Sequence, residues 1–230
     1  MKTIGMIGGM SWESTLTYYQ LINEGVKKSL GGLHSAKICL FSVDFDEIEK
    51  LQHSGKWDKA AEILTQAAKK IQLCGADFLV ICTNTMHKLA PEIQSGISIP
   101  ILHIADATAE KLKKDGVAKA GLLGTKFTME QDFYRARFKE KYGIDVIVPD
   151  EKDRDLVHNV IFKELCLGEI IESSRKEFIR IIDNLKKRGA EAVILGCTEI
   201  PLLIKQKHTD LPVYDTTKIH AEAAVKMAVG

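Results

Sequence analysis

No apolar run in the chain approaches the length of a membrane-spanning helix, and the opening Met-Lys-Thr-Ile-Gly-Met-Ile-Gly-Gly has too short an apolar stretch for a signal peptide. Neither sign of charge is in excess: 32 basic residues against 31 acidic ones leave a formal net charge of +1. That balance gives no electrostatic case for nucleic acid or an anionic membrane as partner. The five cysteines (39, 74, 82, 166 and 197) are odd in number, scattered, and never in a C-x-x-C pair. A disulfide framework and a structural zinc site are thereby excluded, and a reducing cytoplasm is expected. No His/Cys/carboxylate cluster has metal-ligand spacing, and no lysine stands in a recognisable pyridoxal-phosphate context. Gly5-x-x-Gly8-Gly9 is not G-x-G-x-x-G, and no acidic residue closes a second strand at the distance a dinucleotide needs. No metal and no cofactor are expected. Low-complexity segments and linkers are missing as well.

What the chain does hold is a repeat. At 230 residues and 45% apolar composition there is room for a substantial core. Gly189-Ala-Glu-Ala-Val-Ile-Leu-Gly-Cys-Thr-Glu-Ile-Pro201 reads as a short strand, Ala190 to Leu195, running through a glycine into Cys197. Continuous apolar residues bounded by glycine indicate a strand covered on both faces, as in a parallel sheet. Gly75-Ala-Asp-Phe-Leu-Val-Ile-Cys-Thr-Asn-Thr85 has the same grammar 114 positions earlier, each copy preceded by a lysine-bearing helical run. Laid together without a gap, Thr83 falls on Cys197.

The rest of the chain keeps this order twice. Thr3 to Ser11 is a strand ending in glycines, followed by a helix from about Glu13 to Ser29, a strand over Lys37–Val43, a polar segment over Asp44–Trp57 and a helix over 58–73. After the Phe78–Ile81 strand and its turn, Ile99-Pro-Ile-Leu-His-Ile forms a fourth strand. In the second copy, Ala120-Gly-Leu-Leu-Gly-Thr125 mirrors Ile4-Gly-Met-Ile-Gly-Gly9, with a helix over Met129–Lys141, a strand over Ile144–Val148, and helical regions over 155–167 and 174–188. Leu211-Pro-Val-Tyr-Asp-Thr-Thr echoes the Ile99-Pro stretch. Strands alternating with helices of this length predict an α/β fold of βαβ units. The expectation is two similar lobes with mainly parallel sheets, related by duplication, facing each other across a cleft. The first lobe is assigned residues 1–103 plus 211–230, and the second 104–210.

Equivalent loops of duplicated lobes would put Thr83 and Cys197 on two sides of one ligand. Racemisation asks for that arrangement, since one group removes a proton from a stereocentre and another returns one on the opposite face. A thiol suits the task if it is held as thiolate, which helix N-termini and hydroxyl donors favour. From spacing alone, a buried structural cysteine at 197 stays equally open.

Gly8-Gly-Met10, Asn84-Thr85-x-His87, Gly121-Leu-Leu-Gly-Thr-x-x-Thr128 and Gly196-Cys-Thr-Glu199 occur in order over essentially the whole chain. Together they resemble the aspartate/glutamate racemase family. The resemblance implies a cofactor-independent amino-acid racemase of two Rossmann-like lobes with the site between them, usually a homodimer, acting on a small amino acid. It further implies two cysteines as paired acid and base, the C-terminal one working on the L-form and the N-terminal one on the D-form. Cys197 matches the former. The family cysteine directly before Asn-Thr is here Thr83. Sliding Cys82 into its place needs a one-residue gap and would turn the side chain to the opposite face, so Thr83 is the expected partner.

The hydroxyl-rich loops that follow the strands, with Met10, Ser11, Asn84, Thr85, Thr125, Thr128 and Thr198, are the expected cradle for a substrate carboxylate. The alternative for each hydroxyl is an ordinary helix cap. Glu199 is suited to orient or relay a proton, or to cap, and His87 to make a structural hydrogen bond. Acidic-substrate relatives place a basic residue within the segment that here runs from Asp44 to Trp57. This chain has Gln52 there, between Lys50 and Lys56, with Lys163 as a second candidate in the other lobe. A preference for aspartate or glutamate therefore rests on the resemblance, and neutral amino acids stay within range. Two competing functions keep the fold: a one-thiol decarboxylase or isomerase of small dicarboxylates, and a non-catalytic amino-acid-binding protein.

Overall fold

A computed structural model describes all 230 residues, Met1–Gly230. The chain divides into two compact units, Met1–Ile104 with His220–Gly230, and Ala105–Ile219. No helix is long and apolar enough to cross a membrane.

The first unit runs β1 (Ile4–Gly8), α1 (Trp12–Leu30), β2 (Ile38–Ser42), α2 (Phe45–His53), α3 (Trp57–Leu73), β3 (Phe78–Ile81), a 3-10 turn (Thr85–Leu89), α4 (Ala90–Ser95) and β4 (Ile101–Leu102). Its sheet is parallel throughout, in the order β2-β1-β3-β4. β1 and β3 are buried along their whole length, as continuous apolar runs must be when helices cover both faces. Side chains alternate across the sheet. Ile7, Leu79 and Ile81 pack with the Ala60, Leu64, Ala68 and Ile71 stripe of α3. Ile4, Met6, Phe78, Val80 and Cys82 pack instead with Tyr18, Ile22 and Val26 of α1 and with Ala221, Ala224 and Val225 from the chain's end. Each large side chain so buried contributes about 1.5–3 kcal/mol. Gly9 turns the chain out of β1 at φ +93°, where a Cβ would lie 2.2 Å from the Val43 carbonyl oxygen; only glycine fits.

The second unit repeats the plan with α5 (Ile104–Lys114), β5 (Lys119–Gly124), α6 (Lys126–Glu130), α7 (Asp132–Tyr142), β6 (Asp145–Ile147), α8 (Glu151–Lys163), a 3-10 turn (Leu165–Leu167), α9 (Glu172–Lys187), β7 (Ala192–Gly196), α10 (Ile200–Leu203) and β8 (Val213–Asp215), after which α11 (Thr216–Val229) begins in this unit and belongs to the first from His220 onward. The sheet order β6-β5-β7-β8 is the first unit's order again, all parallel.

Strand register tests the duplication residue by residue. Ile4 of β1 pairs with Phe78, and Ala120 of β5 with Ala192. Ile4 and Ala120, like Phe78 and Ala192, are counterparts in the strand echoes, and the pairing joins the same counterparts in both units; Thr83 and Cys197 stand two residues past the equivalent Ile81 and Leu195.

Three expectations need correction. Residues 211–219 belong to the second unit, because β8 pairs with β7 through Val193–Val213 and Ile194–Tyr214. Only the chain from His220 onward joins the first. The polar stretch after β2 contains a helix, α2, capped by Asp44 and burying Ile48 and Gln52. The helix expected over Met129–Lys141 is two, separated by an extended Gln131.

Candidate active site

Glycines let the chain ends of β5 and β7 come close. Gly124 and Gly196 are register partners, and a Cβ on Gly196 would fall 2.7 Å from Leu122 Cδ1. The residues that follow, Thr125 and Cys197, therefore leave adjacent strands side by side, at the carboxyl edge where open α/β sheets hold ligands. Thr125 caps α6 by accepting from the Thr128 N–H at 3.3 Å, and the two hydroxyls lie 3.2 Å apart. The capping alternative thus holds for Thr125, without removing its hydroxyl from this edge.

Cys197 is 8% exposed. Its Sγ–H donates to Glu199 Oε2 at 3.0 Å, and the Thr198 hydroxyl donates to the same oxygen at 2.7 Å. Burial first, then the negative charge and acceptor bond of Glu199, push the Cys197 thiol well above its ordinary value. In the unliganded site these surroundings favour the thiol over the thiolate that the chemistry needs. Glu199 begins α10 yet its side chain makes no cap bond. Its carboxylate is spent on Cys197 and Thr198 instead, and a thiol bonded in this way can surrender its proton along that bond. Cys166, in the 3-10 turn after α8, also raises the Cys197 value. It carried no motif, so sequence gave no signal for it.

In the first unit the corresponding turn, Cys82-Thr83-Asn84, follows β3. Cys82 continues the Phe78–Val80 row into the core under α1, fully buried, and burial alone drives its thiol pKa strongly upward. Thr83 is half-buried, and its N–H closes back on the Ile81 carbonyl at 2.9 Å. Asn84 and Thr85 are buried beside it, and Asn84 makes no side-chain cap bond. His87 donates from Nδ1 to the Thr83 carbonyl at 2.7 Å, and its Nε2 accepts from the Ile104 N–H at 3.2 Å. That is the structural bond expected of His87.

β1 lies next to β3, so its exit loop shares this edge. Met10 is buried there, and Ser11 caps α1 by accepting from the Ser14 N–H at 3.3 Å. Thr15 accepts from the Gly9 N–H at 2.8 Å and donates to the Ser11 carbonyl at 2.9 Å, pinning the glycine turn. Of the candidates for a distal group, Gln52 is the one polar side chain of α2 that is buried, at 4% exposed. Lys50 is exposed and paired with Asp46 at 2.6 Å, Lys56 is exposed, and Lys163 is exposed in the last turn of α8. No group of three or more His, Cys, Asp or Glu side chains is arranged to hold a metal ion.

A family model described as Asp/Glu/Hydantoin racemase matches residues 7–224. A Yersinia pestis crystal structure, provisionally named an Asp/Glu racemase, is 54% identical with TM-score 0.95, each chain covered in full. An aspartate racemase homologue from Pyrococcus horikoshii OT3 is 35% identical with TM-score 0.87, again over 100% of both chains. The broad specificity amino-acid racemase of Bacillus subtilis (strain 168) is 22% identical over 227 residues, 96% of each chain.

Proposed function

The chain belongs to the Asp/Glu/hydantoin racemase family, and from that premise we propose that it interconverts L- and D-amino acids by cofactor-independent proton transfer at Cα. Aspartate and glutamate head the substrates, with neutral amino acids in range. The observation that carries the reading is the buried thiol–carboxylate pair of Cys197 and Glu199. Glu199 takes the Sγ proton, and the thiolate so formed removes the Cα proton of the L-enantiomer. The electron pair left at Cα is delocalised into the substrate carboxylate, which hydroxyl and amide donors from Ser11, Asn84, Thr85, Thr125, Thr128 and Thr198 bind. The Thr83 hydroxyl delivers a proton to the opposite face, giving the D-enantiomer; its alkoxide is reprotonated by water, and the proton held on Glu199 is released to neutralise the hydroxide so formed, which resets the site. A neutral amide at Gln52, rather than a guanidinium, meets the distal end of the substrate. It does not demand a charge there, which supports a broad range; Lys163 is the further candidate. The assembly inferred from family membership is a homodimer, to be checked by light scattering.

Thr83 favours one second reading, a decarboxylase or isomerase of small dicarboxylates in which Cys197 alone moves a proton. One experiment separates the two. Incubation with L-aspartate, L-glutamate and neutral L-amino acids in deuterated water should give Cα deuteration with inversion, read by NMR and chiral chromatography. Release of carbon dioxide without inversion would favour the second reading. Cys197→Ala should lower both exchange and inversion by about 10²–10⁴-fold, the usual contribution of a positioned acid–base group; unchanged exchange in that variant would remove Cys197 from the reaction.

A further inference from the structure

The turn that carries Thr83 is neither strand nor helix, so something else must fix the direction of its side chain. We propose that His87 is the positioning residue of the Thr83 face, a neutral bridge between the Thr83 carbonyl and the start of α5. The inference rests on the reading of Thr83 as the group that serves the D-enantiomer.

Hydrogen bonding sets the tautomer. The Ile104 N–H can only donate, so Nε2 of His87 must hold a lone pair, and the ring proton sits on Nδ1, facing the Thr83 carbonyl oxygen at 2.7 Å. With both nitrogens engaged by backbone, the ring is placed to hold geometry and not to shuttle protons. The ring is itself boxed in. His103 lies 4.6 Å away centroid to centroid and His220 5.6 Å away. His220 in turn donates from Nε2 to the Leu102 carbonyl at 2.8 Å and accepts at Nδ1 from the Tyr18 hydroxyl at 2.9 Å. Two histidines thus grip the backbone on either side of His103 at the end of β4, at Leu102 and Ile104, and one of them reaches on to Thr83. The second unit has no such device: Pro201, at the place corresponding to His87, has neither a side-chain donor nor an N–H.

The His87 bond ties the Thr83 carbonyl, and with it the path of a turn that has no strand or helix ladder of its own. Without that tie the soft dihedrals on either side of Thr83 can readjust and shift its Cα, and a misplacement of its hydroxyl near 1 Å is enough to cost about 100-fold in rate.

A matched pair of substitutions isolates the bond. The Asn amide nitrogen superposes on imidazole Nδ1 and keeps the donor to Thr83, whereas a Gln amide reaches the Nε2 place and keeps only the Ile104 partner. Both remove the ring, so their folding costs are similar. His87→Gln should lower inversion by about 100-fold while Cα exchange of the L-enantiomer without inversion, which needs Cys197 alone, stays near its original rate. His87→Asn should retain most of the inversion. Equal losses in the two variants, or exchange falling in step with inversion, would overturn the proposal. Thr83→Ala run alongside separates the layers: if it leaves inversion intact, the role of Thr83 fails; if it abolishes inversion while the two His87 variants behave alike, only the His87 inference fails. Nitrogen-15 NMR of the unaltered protein is a check independent of variant folding, and a His87 ring protonated at Nε2 would refute the bridge.

Discussion

In the first unit the turn after the central strand is held from outside, by a histidine that grips its backbone. In the second, the equivalent turn is held from within, by a carboxylate two residues along that grips its own thiol. The sheets agree in order, polarity and register, so the difference is confined to what leaves the strand. The repeated sheet gives both units the same strand-exit turn, while the groups that hold each turn differ. A backbone grip fixes position and leaves the Thr83 hydroxyl chemically ordinary. A carboxylate grip fixes position and also changes the thiol, holding its proton until an acceptor is wanted. One turn is held by geometry and the other by electrostatics.

The two units should part company in acid, and this is the largest effect. His220, fully buried in the first unit, has its pKa lowered to about 4, chiefly by burial. Above pH 6.5 the residue is neutral folded or unfolded and has no effect on stability. As pH falls from 6.5 to 4 the unfolded chain takes up a proton that the folded chain refuses, which removes about 3 kcal/mol; below 4 the loss levels off. In the second unit, Lys111 holds the Asp115 carboxyl low and Lys139 does the same for Asp145. Both are surface pairs of small worth, and their contribution fades only as pH drops through the carboxylate range. Hydrogen exchange, corrected for intrinsic rates, should show β1, β3 and the end of α11 losing protection between pH 6.5 and 4, ahead of β5 and β7. Simultaneous loss in both sheets would show that the histidine cluster does not set acid stability.

Glu199→Gln tests the electrostatic grip. The amide still accepts from Thr198 but cannot take the thiol's proton, so turnover at neutral pH should fall by about ten- to a hundredfold. Removing the carboxylate also removes one cause of the raised Cys197 pKa. Alkylation of Cys197 by iodoacetamide should therefore begin at lower pH in the variant than in the parent. A slow variant whose alkylation profile does not move would mean that Glu199 orients the thiol without perturbing it.

How much of this was legible depended on whether a feature is local. Continuous apolar runs such as Phe78–Ile81 and Ala192–Leu195, bounded by Gly75 and Gly189, announced buried parallel strands and their overlay, because strand, burial and turn are all written within a dozen residues. The overlay also favoured Thr83 over Cys82 at the sheet edge, since alternation along one strand decides which side chain enters the core. The echo of Ile99-Pro in Leu211-Pro marked the fourth strand of each sheet, yet residues 211–219 were assigned to the wrong unit. An echo identifies a strand but not the sheet edge that receives it. Over Asp44–Trp57, charge hid a nine-residue helix that buries only Ile48 and Gln52. The upward push on the Cys197 thiol was beyond reach, because it follows from burial and from where the Glu199 carboxylate lies. The anchor of His87 was beyond reach as well, since Ile104 lies 17 residues away.

Thr83→Cys should make the two faces more alike, and its effect is the smallest and the most specific. A thiol ionises near pH 8.5, and even when burial raises that value it surrenders a proton far more readily than an aliphatic hydroxyl. The hydroxyl gives a proton to Cα adequately but removes one poorly. In the parent, the L-enantiomer should therefore exchange its Cα proton faster than it inverts, because Cys197 can take the proton and return a deuteron to the same face. The ratio of kcat/KM in the two directions cannot report this asymmetry, since the equilibrium constant for enantiomers in achiral solvent is unity. The measurable quantity is exchange without inversion relative to inversion, starting from L. A second thiol should raise inversion by less than tenfold, a fraction of what a positioned acid–base group contributes, and should lower that ratio. The factor in kcat/KM must be the same from either enantiomer. Cys82→Ala should change neither quantity and cost only core packing, because Cys82 lies among Phe78, Val80 and Tyr18. If Cys82→Ala abolishes inversion while Thr83→Cys leaves the ratio untouched, the thiol that faces the substrate in the first unit is Cys82 and the overlay of the two turns is off by one residue.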